Sequence, residues 1–306
     1  WAAIVGHADA IKALVAAGAS VEALADEKRT PLHSAAGNGH ADAIKALVAA
    51  GASVEAQGDA KWTPLHIAAA YGQGDAIKAL VAAGASVKAR TDGKATPLHS
   101  AAGNGHADAI KALVAAGATI EALDDTKWTP LHWAAAQGHA DAIKALVSAG
   151  ASVEAQDDTK WTPLHRAAAQ GHADAIKALV AAGASGEAQD NEKRTPLHIA
   201  AIEGHADAIS ILEAADPMRR WLRAHELSET QHLPLLRSLG VDRLADVGIL
   251  CGLTMDELFS DIAWASLPCA PRCSVVKVAV HKAINAECVP TKGGAKAKPI
   301  EAKEEL

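Results

Sequence analysis

Apolar positions in this chain fall into short helical stripes that return every 33 residues. In the stretch opening at Thr30, Leu32, Ala35 and Ala36 lie at i, i+3, i+4 spacing, which predicts a short helix with one buried face. Ile44, Leu47 and Val48 repeat that spacing and predict a second helix over 41–50. Thr30 is placed to cap the first helix, with Pro31 at its first position, where a missing N–H costs nothing. Gly39 and Gly51 stand where left-handed helix ends are needed. Val54 and Ala56 then lead through a polar, turn-like stretch into the next copy. Neither helix is able to bury its stripe alone, so successive copies must stack. The predicted fold is all-α, a helix–turn–helix unit plus a projecting hairpin turn.

The phrase Thr-Pro-Leu-His marks each copy, at Thr30, Thr63, Thr96, Thr129, Thr162 and Thr195. With the period of 33, the Gly-His before the second helix and the Gly-Ala after it, residues 1–215 resemble an ankyrin repeat array, one partial copy and six that begin with the phrase. That resemblance implies a solenoid with a concave face lined by hairpins and first helices, and a protein-binding scaffold rather than an enzyme. Three places depart from the family's pattern. Lysine (Lys28, Lys61, Lys94, Lys127, Lys160, Lys193) replaces the usual turn glycine, so the turn either avoids positive φ or carries about 1 kcal/mol of strain at each lysine. Glutamate (Glu22, Glu55, Glu121, Glu154, Glu187) or Lys88 replaces the asparagine that is hydroxylated in some members. Gly186 stands where Val21, Val54, Val87, Ile120 and Val153 stand, predicting a weaker seam. Trp1 aligns with Ser34, inside a copy, so the chain is expected to continue upstream in a longer protein.

Composition sharpens this picture. Half the residues are hydrophobic but only 3% aromatic, so the core must be built from alanine with selected Leu, Ile and Val. Residues 1–216 hold 17 Lys and Arg against 25 Asp and Glu, an acidic array that disfavours nucleic acid and anionic membrane surfaces. No apolar run is long enough for a membrane span. The array has no cysteine, which suits a cytoplasmic setting.

Because the copies are nearly identical, their differences point to function. The residue before the threonine is Arg29, Trp62, Ala95, Trp128, Trp161 or Arg194. The residue after the histidine is Ser34, Ile67, Ser100, Trp133, Arg166 or Ile199. Tyr71 varies at the end of a first helix, and the turn tips carry Asp124, Asp125, Asp157, Asp158 and Asp190. Trp and Arg are favoured interface anchors. The candidate partner-binding residues are therefore Trp62, Tyr71, Trp128, Trp133, Trp161, Arg166, Asp125 and Asp158, suited to an apolar or aromatic anchor flanked by basic residues. The alternative for the tryptophans is packing on the neighbouring hairpin.

Fifteen histidines invite a catalytic reading, but twelve recur with the repeat: six in the phrase and six before second helices. Backbone hydrogen bonds between adjacent turns account for them better than acid–base or metal chemistry. There is no phosphate-binding GxxxxGK[ST] and no HExxH, so no catalytic residue, metal or cofactor is expected.

Beyond Asp216-Pro217 the period stops. Short helices are predicted over 218–224, 233–238, 243–249, 255–262 and 274–285. Trp221-Leu222, the Leu-Gly-Val at 239–241 and the Leu-Thr-Met-Asp-Glu-Leu at 253–258 resemble a SAM (sterile alpha motif) domain over 216–288, a five-helix bundle. The resemblance implies self- or hetero-association, head to tail. The stretch 263–272, AWASLPCAPR, replaces the Gly-Ile that usually precedes the last helix of that family. Cys251, Cys269, Cys273 and Cys288 contain no CxxC pair and read as free thiols rather than a zinc set. Residues 289–306 read as a disordered tail. The expected role is a non-enzymatic adaptor. Two alternatives are the regulatory part of a longer enzyme, as in tankyrases, and a structural polymer built by the SAM-like bundle.

Overall fold

The computed structural model describes residues 1–215. The chain divides into two units after Glu213, and the first, Trp1–Glu213, is described below. The helices predicted after 216, the SAM-like bundle and the tail lie outside the described residues.

Thirteen α-helices follow one another in the described residues, joined by turns and with no strand. They are α1 (Ala8–Ala16), α2 (Pro31–Gly37), α3 (Ala41–Ala49), α4 (Pro64–Ala70), α5 (Gly74–Ala82), α6 (Pro97–Gly103) and α7 (Ala107–Ala115). Then come α8 (Pro130–Ala136), α9 (Ala140–Ser148), α10 (Pro163–Ala169), α11 (Ala173–Ala181), α12 (Pro196–Glu203) and α13 (Ala206–Ala215). Even-numbered members are the first helices of the copies, and each packs on the next: α2 on α4, α4 on α6, and so on to α12. The odd-numbered second helices stack likewise from α1 to α11. Between the two layers, Leu32, Ala35, Ala36 and Ile44 are fully buried, as are their counterparts Leu98, Ala101, Ala102 and Ile110. The alanines let the layers approach closely; the leucine and isoleucine fill what remains.

The phrase Thr-Pro-Leu-His is the joint of this stack. At Thr30 the backbone N–H donates to His33 Nδ1 at 3.1 Å, and the hydroxyl meets the same nitrogen at 2.9 Å. This is a reciprocal capping box in which histidine takes the place more often held by Glu or Gln. With Nδ1 accepting, the ring proton sits on Nε2, which donates to the Trp62 carbonyl of the next copy at 3.0 Å. The same link runs from His66 to Ala95, His99 to Trp128, His132 to Trp161 and His165 to Arg194. Burial is the main cause that lowers the pKa of these histidines, to about 4 for His66 and His132, and keeps them neutral. The histidines before second helices reach the other way. His106 donates to the Ala70 carbonyl at 3.0 Å and His40 to that of Ile4 at 2.9 Å, while Gln73 does the same to Gly37. Both histidine sets thus make the backbone links between turns that the sequence predicts.

The departures from the family pattern also resolve. All six turn lysines have positive φ, between 53° and 60°, so the strained alternative is the one adopted. Glu22, Glu55, Glu121 and Glu154 accept the backbone N–H of Ser53, Ser86, Ser152 and Ser185 at 2.7–2.9 Å, each in the next copy. Lys88, with no acceptor, has no such bond to offer Thr119. At Gly186, a side-chain carbon would meet no neighbour within 4 Å, whereas Val54, Val87 and Val153 pack against the core.

Candidate partner-binding surface

Two structural units position the varying side chains. Each hairpin closes by a backbone bond across its tip, such as Asp157 N–H to the Trp161 carbonyl at 3.1 Å. Neighbouring hairpins are tied together as well, Asp125 N–H to Gly93 at 3.0 Å and Asn191 N–H to Thr159 at 3.2 Å. The first helix then carries the residue after the histidine toward the hairpin of its own copy and that of the copy before.

The eight candidate residues separate into two groups. In the fifth and sixth copies, counted from the partial copy as the first, Arg166 lies between two indoles. Its guanidinium carbon is 4.1 Å from the Trp128 ring centre and 4.4 Å from that of Trp161. One guanidinium nitrogen donates to the Asp157 carboxylate, while Arg166 Nε is buried without a hydrogen-bond partner. An unpaired buried donor costs about 1–3 kcal/mol, which the two ring faces offset. The Trp161 indole donates to Asp190 at 3.1 Å. Trp133 donates to Asp124 at 2.8 Å and packs edge-on to His99, its ring lying over Gly103. These tryptophans are half-buried and bonded inside the chain.

The aspartates divide sharply. Asp124, Asp157 and Asp190 are buried, although sequence position alone groups them with the exposed turn tips. One carboxylate oxygen of Asp157 accepts from the Thr159 N–H, the Thr159 hydroxyl and the Trp161 N–H, pinning the turn. Burial raises the Asp190 pKa, but the N–H groups and guanidinium of Arg194, the Glu192 N–H and the Trp161 indole outweigh it and hold it at about 2. Asp125 and Asp158, by contrast, are exposed, and Asp158 meets Lys127. The signal for the buried set was present in the sequence: an acid four residues before the residue that precedes the threonine.

The second group lies in the second and third copies. Trp62 is half-buried and Tyr71 is 57% exposed. Together with Arg29, Ile67 and Asn104 they line an open cleft of about 420 Å³. Arg29 and Ile67 occupy varying positions but were not among the candidates.

Among the described residues no helix is long and apolar enough to cross a membrane. A family model for ankyrin repeats (3 copies) matches residues 1–91, 85–157 and 144–220. No curated protein matches the sequence. Among solved structures, the crystal structure of the human ASB11 ankyrin repeat domain is similar, with 29% sequence identity and a TM-score of 0.63. That match covers 70% of this chain and 96% of the other.

Proposed function

Because the chain belongs to the ankyrin repeat family, a family of non-catalytic interaction modules, we propose that it is a non-enzymatic adaptor holding a protein partner on the face made by the hairpins and first helices. The observation that carries this reading is where the copies stop being copies. Leu, Ile and Ala positions in the core scarcely change along the stack, while residues before the threonine and after the histidine range over Trp, Arg, Ile, Ser and Ala. A scaffold that served only to stack would have no use for that variety. Tyr71, Asp125 and Asp158 are the exposed members of the surface, and Trp62 is the aromatic beside the open cleft. The partner would bring an apolar or aromatic anchor with basic neighbours, matching the acidic array. Association through 216–288 would complete the adaptor. That part of the reading, and those of an enzyme's regulatory part and a polymer, rest on sequence outside the described residues.

Affinity capture with the full chain, followed by mass spectrometry, tests the surface. The variant Tyr71→Ala/Asp125→Ala/Asp158→Ala keeps the core intact and should lose the specifically captured proteins. An unchanged set, with the helical circular dichroism unchanged, would refute this face as the binding surface.

A further inference from the structure

The cleft beside Trp62 is open for a reason that the rest of the array supplies. In the sixth copy the space between the pre-threonine side chains Trp128 and Trp161 is filled by Arg166, which Asp157 holds. Three copies earlier the same four places are occupied by Arg29, Trp62, Ile67 and Gly58. Ile67 is too short to reach where a guanidinium would lie, and Gly58 has no carboxylate to hold one. Here one cation and one aromatic line an open cleft, in place of two aromatics around a guanidinium.

We propose that this cleft receives an aromatic side chain of the protein partner, seated between Arg29 and Trp62 over Ile67, with Tyr71 at its edge and basic residues on either side. This rests on the adaptor reading and gives its anchor a place. A cationic guest would face Arg29 without the buried carboxylate that Asp157 provides in the sixth copy. An aliphatic guest would satisfy the Ile67 floor and leave both walls unused. An aromatic ring uses both, through the Arg29 guanidinium on its face and offset or edge contact with Trp62 and Tyr71. The preference for basic flanks follows from Glu27 and Asp59 in the lining. Arg29 already pairs with Glu27, and Asp59 lies 3.6 Å from Lys28, all on exposed side chains that are free to re-pair.

The array also supplies a plug for the test. Trp133 stands in the register of Ile67 two copies on, and its ring lies over Gly103; the corresponding place beneath Ile67 is Gly37, which also touches it closely. Ile67→Trp should therefore fold and fill the cleft. A random heptapeptide phage library is selected on the full chain, and enriched peptides are synthesised and titrated calorimetrically. Enriched peptides are expected to carry an aromatic residue with Lys or Arg within two positions. Their affinity should fall at least tenfold for Ile67→Trp and for Arg29→Ala, with unchanged thermal melting, and stay constant for Lys177→Ala on the remote helix α11. Peptides without an aromatic residue, acidic flanks, equal binding to Ile67→Trp, or no enrichment would each overturn the proposal. If peptides bind Ile67→Trp normally but fail on Asp125→Lys/Asp158→Lys, the cleft assignment falls and the adaptor reading stands.

Discussion

Six lysines in left-handed conformation should leave this array less stable than its own architecture permits, and the deficit is measurable. An L-residue at φ near +60° costs roughly 1–2 kcal/mol relative to the right-handed region. Glycine escapes that cost but brings about 0.5–1 kcal/mol of extra backbone entropy to lose on folding. The net gain from lysine to glycine is therefore about 0.5–1 kcal/mol per site. Lys61 and Lys127 pair with Asp92 and Asp158, and Lys28 lies near Asp59, so those sites mix strain with charge. Lys94, Lys160 and Lys193, at φ of 58°, 60° and 59°, are the cleaner choice. Replacing all three with glycine should raise stability by about 2 kcal/mol, since the sites share no partners and should add. The assay is urea unfolding followed by both tryptophan fluorescence and far-ultraviolet circular dichroism, whose coincidence checks that the transition is cooperative. The control is the same triple substitution to alanine, which removes the lysine chain but keeps the Cβ that causes the strain. If the glycine variant is no more stable than the parent, or the alanine variant gains as much, backbone strain is not the cause.

Three further outcomes follow from the links between copies. His66 and His132 stay neutral in the fold down to about pH 4 but take a proton near 6.5 when unfolded, so the unfolded state binds more protons in that window. Stability should be full above pH 6.5 and fall as the pH drops toward 4, by up to roughly 3 kcal/mol for each histidine, read from urea midpoints across pH; a flat profile over that range would contradict the assignment. Lys88→Glu should supply Thr119 with the carboxylate bond that Glu121 gives Ser152, adding about 0.5–1.5 kcal/mol to the urea stability. If no gain appears, the glutamate bonds contribute nothing net. Gly186→Val should add about 1 kcal/mol by restoring the side chain that packs at the other junctions, and differential scanning calorimetry would show a higher melting temperature; a lower one would mean the last junction has closed over the missing valine.

The sequence made the repeat visible because its signals are local. Thr30, Pro31, Gly39 and Gly51 are each read from a few neighbours, and the stack follows from the unburied stripes they delimit. What stayed hidden depends on residues about 33 apart meeting across the stack. Periodicity places Arg166 near Trp128 and Trp161, but not whether the guanidinium points outward or lies between them. It marks Asp124 and Asp125 as neighbours in one turn, while only the backbone path decides that the first turns inward to four N–H and O–H donors and the second faces water. The turn lysines left two outcomes open, since propensity disfavours positive φ and the hairpin demands it; the hairpin wins because backbone bonds on both sides fix it. The cleft was missed because it is made by what is absent, a long side chain at 67 and a carboxylate at 58.

The histidine and glutamate bonds that join one copy to the next keep constant intervals, 29 residues for His33 to Trp62, 31 for Glu22 to Ser53 and 36 for Ile4 to His40. Constant intervals make length a free variable. Cut out 130–162, and Thr129 meets Pro163 in an unbroken Thr-Pro-Leu-His. Glu121 then faces Ser185 instead of Ser152, and His172 faces Gly103 instead of Ala136. The severed histidine and glutamate links each find an equivalent partner, whereas the Lys127–Asp158 pair and the Arg166–Trp161 contact are lost. A molecule built this way tolerates gain or loss of whole copies far better than gain or loss of one residue, which would put every later histidine out of reach of its carbonyl.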